Sequence, residues 1–229
     1  MVEIRLILPR ASPFIENLII LEASKSIEEM LELIYLLNEN TGSSAKDETK
    51  NCRDGTLNDG YTWVKTFYGY GVQFNGTTGY LNTGYTFTIE ATEIWAFLLR
   101  VKASPGATGV LMGIGHVFPD TSWNRVQINF EDNKARVYVR DDALLTANFT
   151  GDTIIADNKE HLIMLVVNPN DDKVILYVDG RLDTEIDIVL GLFTFTCPLL
   201  YGALSIDGNI DNYSNYILDE SIIMSRQLV

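Results

Sequence analysis

The sequence predicts an all-β fold, a two-sheet antiparallel jelly-roll sandwich with an N-terminal extension. Three observations carry that prediction. From about Leu33 onward, apolar and polar residues alternate in short runs, the signature of half-buried strands. Gly, Asn, Asp and Pro separate these runs, and they are the residues that build tight turns. The composition favours strands as well, with 11 Tyr and 10 Phe beside many Ile, Val and Thr. At 229 residues and 46% hydrophobic, the chain can bury a core without disulfides or metals.

The elements follow in order. Residues 1–30 carry Pro9, Pro13 and dense apolar runs at 4–8 and 14–21. Ser26 with Glu29 has the form of a capping box, which predicts a helical turn from Ser26 to about Leu33. Strands are then predicted at 34–37, 70–74, 80–82, 87–89, 94–102, 110–115, 125–130, 135–140, 144–149, 160–167, 173–178, 199–204 and 217–224. Asn75-Gly76 and Asp179-Gly180 supply residues that tolerate positive φ. Pro169-Asn170-Asp171-Asp172 makes a turn between two strands. Glu131-Asp132-Asn133-Lys134 makes another, so 125–140 reads as a hairpin. No Gly/Ser or Pro-rich linker and no solenoid or propeller repeat divides the chain. Residues 31–229 therefore read as one domain, and 1–30 as an extension or anchoring arm.

Lys plus Arg total 17 against 31 Asp plus Glu, a formal charge of −14. Such a surface repels phosphate backbones, so nucleic acid is not an expected partner. The longest apolar runs, such as Leu18 to Leu21, fall far short of a bilayer span, so membrane insertion is not expected. The first six residues lack the basic and apolar regions of a signal peptide, which predicts cytoplasmic synthesis, with release by lysis, non-classical export or incorporation into a virion. Cys52 and Cys197 lie in no C-x-x-C spacing, which argues against zinc. A disulfide between them is open, but free or buried thiols are the preferred reading.

Several segments resemble one family. Leu36-Leu37-Asn38-Glu39-Asn40-Thr41-Gly42, Ala45-Lys46-Asp47 and Asp54-Gly55-Thr56-Leu57 resemble the opening of a laminin-G-like jelly roll of the concanavalin A-like lectin/glucanase superfamily. Gly71 to Gly76 with Tyr80-Leu81, the strand of Ile94-Trp95-Ala96-Phe97, and His161 to Val166 resemble its successive strands. Val174 to Gly180, with its YVDG hairpin, and the closing segment Ile217 to Leu228 are the more specific matches. The order is right from about residue 33 to the C-terminus. The tryptophan usual before the family's His strand is replaced by Lys159-Glu160, and residues 1–30 lie outside the pattern. The resemblance implies two packed antiparallel sheets, with Trp95 and Tyr177 filling the core; His161, inside a predicted strand, reads as structural. It leaves the function open.

The superfamily includes glycoside hydrolases, so the carboxylates matter. Glu185-Ile186-Asp187-Ile188 matches the front half of a glucanase signature, but Val189 or Leu190 stands where the third carboxylate belongs. A glycosidase needs two carboxyls at set spacing, so this string is read as a solvent-facing strand end, and no catalytic residue is assigned. Calcium takes several oxygen ligands. Some relatives bind one at a sandwich edge, and Asp47, Asp54 and Asp219 are the candidate ligands, although Asp and Asn in loops also serve as turns and caps. Aromatic rings beside Asn and Asp suit sugar stacking or protein contact. Trp123 and Phe118 in one loop, and Tyr213, Tyr216 and Asn212 in another, are the candidate ligand-binding residues. Partly buried loop anchoring is the competing role for each.

The apolar segment 1–30 is expected to pack on its own domain, on a neighbouring subunit as in arm-exchanged homo-oligomers, or on a host assembly. Stand-alone relatives of this description resemble virion components. The leading expectation is a non-enzymatic surface module, a phage or viral decoration, fibre or receptor-binding component anchored by its N-terminal arm to a capsid-like partner. The alternative is a lectin-like glycan-binding module, with or without calcium. A glycoside hydrolase ranks last.

Overall fold

A computed structural model describes residues 27–117, 123–206 and 209–227. Residues 1–26, most of the expected arm, lie outside the described residues. The fold is an all-β antiparallel sandwich, as expected. One eight-stranded sheet runs in the order Arg181–Asp187, Lys173–Val178, Glu160–Asn168, Glu93–Lys102, Ile217–Gln227, Tyr70–Phe74 and Tyr61–Lys65, with Leu31–Tyr35 also paired to Ile217–Gln227. The other runs Thr146–Ile154, Lys134–Arg140, Trp123–Glu131, Val110–Val117, Leu200–Tyr201, Tyr80–Asn82, Gly55–Asn58 and Ser44–Ala45.

Side-chain alternation decides what fills the space between the sheets. Trp95, Phe97, Leu99 and Val101 point inward from one strand, and Ile163, Leu165 and Val167 from its neighbour. Trp95 stacks on Phe87 with ring centroids 4.4 Å apart, which confirms its core role. Tyr177 is a correction. The pleat aims Val174, Leu176 and Val178 inward, so Tyr177 faces the opposite side of the sheet. There it packs on a second apolar cluster that includes Leu98, Met164 and Ile222. Arg100 lies on the same strand as Leu98 and, although only 7% exposed, is charge-paired, with Nη2 3.2 Å from Glu220 Oε2.

The turns formed for the reasons read from the sequence. Asp132 and Asn133 have φ of 51° and 65°, and the strands on either side pair residue for residue from Arg125–Arg140 to Glu131–Lys134. Asp179 and Gly180, at 51° and 77°, close a second two-residue hairpin. Both have the positive φ pair that matches strand twist. The helical turn is shorter than predicted. It spans Ile27–Met30, and Leu31–Tyr35 is a strand because pairing with Ser221 to Met224 buries Leu33 and Tyr35 completely.

Candidate functional site

Strand register gathers four loops at one end of the first sheet. Lys102 is the last residue of its strand, and it pairs with both Glu160 and Ile217, which begin theirs. Loops at 103–109, 157–158 and 212–216 therefore meet there, joined by the turn at Asn75-Gly76. Together they enclose a cleft of about 390 Å³.

Backbone contacts hold these loops in place. Gly109 has φ 87° and sits so close beneath the Tyr213 carbonyl that any Cβ there would collide with it. Val110 N–H donates to Asn212 O at 2.9 Å, and Ser214 Oγ donates to Thr108 O at 2.8 Å. Asn158 adopts φ 68° and its N–H donates to Ala103 O at 2.8 Å. Its neighbour Asp157 is fixed by His161, whose Nε2 lies 3.1 Å from Asp157 Oδ1 while Nδ1 lies 2.8 Å from Asp179 Oδ2. Hydrogen bonds from the Lys159 side chain and backbone, then from His161, hold the Asp157 carboxyl well below the usual range. Asn75 Oδ1 accepts the N–H groups of Thr77, Thr78 and Gly79 at 2.9, 3.0 and 3.1 Å, which fixes its carboxamide.

The resulting lining is mainly polar. Gln73, Asn75, Asn158 and Asn215 line it with Ser104, Thr108, Lys102 and the half-buried Tyr213, beside Ala103, Pro105, Ala107 and Ile217, and the Asn75 carboxamide is already engaged by its own turn. Among the described residues, no Asp or Glu lines it. Such a surface donates and accepts hydrogen bonds in both directions and offers one aromatic face. It lacks the pair of carboxyls that glycoside hydrolysis uses. On the far side of Tyr213 lies a second hollow of about 520 Å³, lined by Tyr61, Tyr80, Asn58, Asp59 and their neighbours.

The expected site residues fall in several places. Tyr213 lines both hollows. Tyr216 reaches the first hollow from beneath, but its ring is buried against Phe74 and Phe130 and its hydroxyl donates to Leu111 O at 2.6 Å. It supports the floor of the cleft and offers a ligand no exposed face. Asn212 shapes the loop through its φ of 54° and its carbonyl, while its Nδ2 donates to Asp211 Oδ1 at 2.7 Å. Trp123 opens a strand opposite Val117, and Phe118 lies outside the described residues. Seven steps of strand separate Val117 from Val110, about 23 Å at the usual rise, so the backbone of Trp123 and the Tyr213 loop stand at opposite ends of that strand.

The expected calcium ligands do not converge. Asp47 is buried, and its carboxylate accepts from Ile34 N at 3.1 Å, Thr49 N at 3.0 Å, Thr49 Oγ1 at 2.8 Å and Arg53 N at 2.9 Å. Asp54 Oδ1 accepts from Asp47 N at 2.9 Å. Asp219 belongs to a different strand, where it accepts from Thr66 Oγ1 at 2.8 Å and lies 3.8 Å from Arg100 Nε. Among the described residues, no three of His, Cys, Asp and Glu are grouped to hold a metal ion. Asp47 organises its loop with lone pairs that a cation would need, so these residues do not fit calcium. Glu185 and Asp187 both pair with Lys173 Nζ, at 3.0 and 3.3 Å, on an edge strand outside the cleft.

The cleft's carboxamides were not legible as a site. Asn75 read as a turn residue, Asn158 was not singled out, and only the fold brings them beside Tyr213. Their one sequence mark was an Asn at a turn, which the Asn75-Gly76 pair displayed without its second meaning.

No protein-family model matches the chain, and no curated protein matches it in sequence. Solved structures do match in fold. The binding domain of Paraclostridial Mosquitocidal Protein 1 superposes with a TM-score of 0.63 at 12% identity, over 89% of this chain and 51% of that one. The ligand binding domain of botulinum neurotoxin serotype D, solved in complex with N-acetylneuraminic acid, gives 0.61 at 14%, over 89% and 49%. The CBM40 of an IT-sialidase from Ruminococcus gnavus gives 0.50 at 12%, over 61% of this chain and 79% of that one. The chain spans about half the length of the two toxin domains. These likenesses define the class as a jelly-roll sandwich, and at such identities they speak to the fold alone.

Proposed function

We propose that this domain is a non-catalytic binding module that takes an N-acetylated sugar in the cleft beside Tyr213. The observation that carries the reading is the lining: the carboxamide residues Gln73, Asn158 and Asn215, Lys102, the Tyr213 ring and no carboxylate among the described residues. Carboxamides pair with an acetamido group in both donor and acceptor senses, and Lys102 suits a sugar carboxylate. A tyrosine face complements the apolar side of a pyranose ring. The structural neighbours are binding domains and a CBM40, one in complex with N-acetylneuraminic acid, which supports this reading.

The test is calorimetric titration with N-acetylneuraminic acid and N-acetylglucosamine, with glucose as the control lacking an amide. Binding of the amide-bearing sugars is expected in the millimolar to micromolar range, about −4 to −8 kcal/mol. Tyr213→Ala and Asn158→Ala should weaken it, and EDTA should leave it unchanged. Equal binding of glucose, or no binding at all, would overturn the reading.

A second reading concerns location. Residues 1–30 are dense in apolar side chains and precede a strongly acidic domain, which supports an arm that anchors the module to a virion or other assembly. Deleting residues 1–30 should then abolish assembly binding while the sandwich stays folded. Retained binding by the truncated protein would count against it.

A further inference from the structure

Tyr213 is the one residue shared by the two hollows, of about 390 and 520 Å³, and this position has a consequence for ligand size. Each hollow alone falls within the usual range of a small-molecule site, roughly 300–1,000 Å³. They are not two unrelated dimples. The turn at Asn75 closes one side of the divide, where Asn75 Nδ2, on the first hollow, donates to Thr78 Oγ1, on the second, at 3.1 Å. The Tyr213 ring forms the rest, tilted at 51° to Tyr80 with centroids 6.3 Å apart. Tyr61 continues the aromatic line along the second hollow, its hydroxyl donating to Gly42 O at 3.0 Å. Burial, then the neighbouring Tyr213 and Asp59, raise the Tyr80 phenol above its ordinary value, so it remains a hydrogen-bond donor at neutral pH.

We infer that the ligand is a chain of sugars, which crosses Tyr213 from the carboxamide cleft into the tyrosine-lined hollow. This deepens the preceding reading and rests on it. The two halves divide the work. Amide and ammonium groups on the Asn158 side recognise one sugar unit by hydrogen bonding. Tyr80 and Tyr61 offer ring faces, and Tyr80 a hydroxyl, to the following units, a mode that tolerates variation in sugar identity. Polysaccharide ends or internal stretches are thus the fitting ligand class, and a free monosaccharide fills only the first half.

The test is a length series of one probe, β-1,4-linked N-acetylglucosamine of one, two, four and six units, run in parallel with α-2,8-linked N-acetylneuraminic acid oligomers. Affinity should rise at least about tenfold between one unit and four, the equivalent of about 1.4 kcal/mol. Tyr80→Ala should erase that gain, so that four units bind no better than one. Tyr213→Ala should weaken every length. If the monosaccharide binds and the longer chains bind no better, the extended groove is wrong and the single-sugar site stands. If affinity rises with length but Tyr80→Ala leaves the rise intact, the added units do not occupy this hollow and the inference is overturned. If no length binds, the inference falls together with the sugar-binding reading. A circular-dichroism melt of Tyr80→Ala guards against misfolding, and Tyr80→Phe, which keeps the ring and loses only the hydroxyl, should retain most of the gain.

Discussion

Removing the Asp47 carboxylate is the sharpest test of how the loop at residues 47–54 is held. Asp47 is 3% exposed, and its two oxygens accept from three backbone N–H groups and one hydroxyl. One of those donors, Ile34 N, belongs to the strand that closes the first sheet against Ile217–Gln227, so the carboxylate ties loop to sheet. A hydrogen bond to a charged group is worth about 1.5–3 kcal/mol, and the donors around Asp47 are only partly replaceable by water. The contributions overlap, so Asp47→Ala should cost about 3–5 kcal/mol. For a chain of this size that is a fall in Tm of about 6–20 °C. Asp47→Asn keeps one acceptor oxygen and turns an NH₂ toward donors, so it should lose a large part of the same stability. Differential scanning calorimetry of both variants, with calcium and with EDTA, checks the argument. A loss below about 1 kcal/mol in Asp47→Ala would refute the hydrogen-bond account. So would a wild-type Tm that drops with EDTA, because the carboxylate would then be serving a cation.

Other consequences are quickly tested. Gly109→Ala should destabilise by about 1–3 kcal/mol and weaken sugar binding, whereas Gly84→Ala, which has a similar positive φ but open space around the added carbon, should cost only strain. Calorimetry and titration of the two variants separate the effects. Ellman's reagent should label one thiol in the native protein and two after unfolding, since Cys52 is exposed and Cys197 buried. Two carboxyls predict the acid response. Burial raises the Glu32 pKa, but hydrogen bonds from Arg53, Ser225 and Tyr85 outweigh it and hold the group below its ordinary 4.5, and Asp157 lies below its ordinary 3.8. Their stabilisation is present above those ordinary values and is lost as the pH falls through the lower folded ones. Melts from pH 7 downward should therefore show stability declining below about pH 4.5, with a shallower decline in Glu32→Gln and Asp157→Asn.

Much of the sandwich was legible because strand alternation and turn chemistry are local. The hairpin at 125–140 is dictated by two residues that accept positive φ between two alternating runs. The strand Tyr61–Lys65 was missed, and the edge strand Arg181–Asp187 was read only at its Glu185-Ile186-Asp187 end, because water takes part of each and blurs the alternation. Leu31–Tyr35 was misread in part as helix because its pairing partner lies almost 190 positions away. Tyr177 was placed on the wrong side because the family motif specifies its presence but the pleat specifies its direction. At the site, Tyr213 was legible as an aromatic residue in an Asn-rich loop. Asn75, Asn158 and Lys102 were not, since the carboxamide that caps a turn is the same group that would grip a sugar. Asp47 was open to both readings, calcium ligand or loop cap, for the converse reason: a carboxylate that accepts backbone N–H groups looks, in sequence, like one that binds a cation.

The central claim is that the cleft beside Tyr213 holds an N-acetylated sugar, and nitrogen–proton correlation spectra recorded during titration test it most directly. With N-acetylneuraminic acid added, the backbone amides of Gly76, Gly106, Asn158 and Asn215 should shift together along a single saturating curve, while those near Asp47 and Glu185 stay fixed. Shifts confined to the far end of the sandwich around Val117 and Trp123, or spectra that do not change at millimolar sugar, would contradict it.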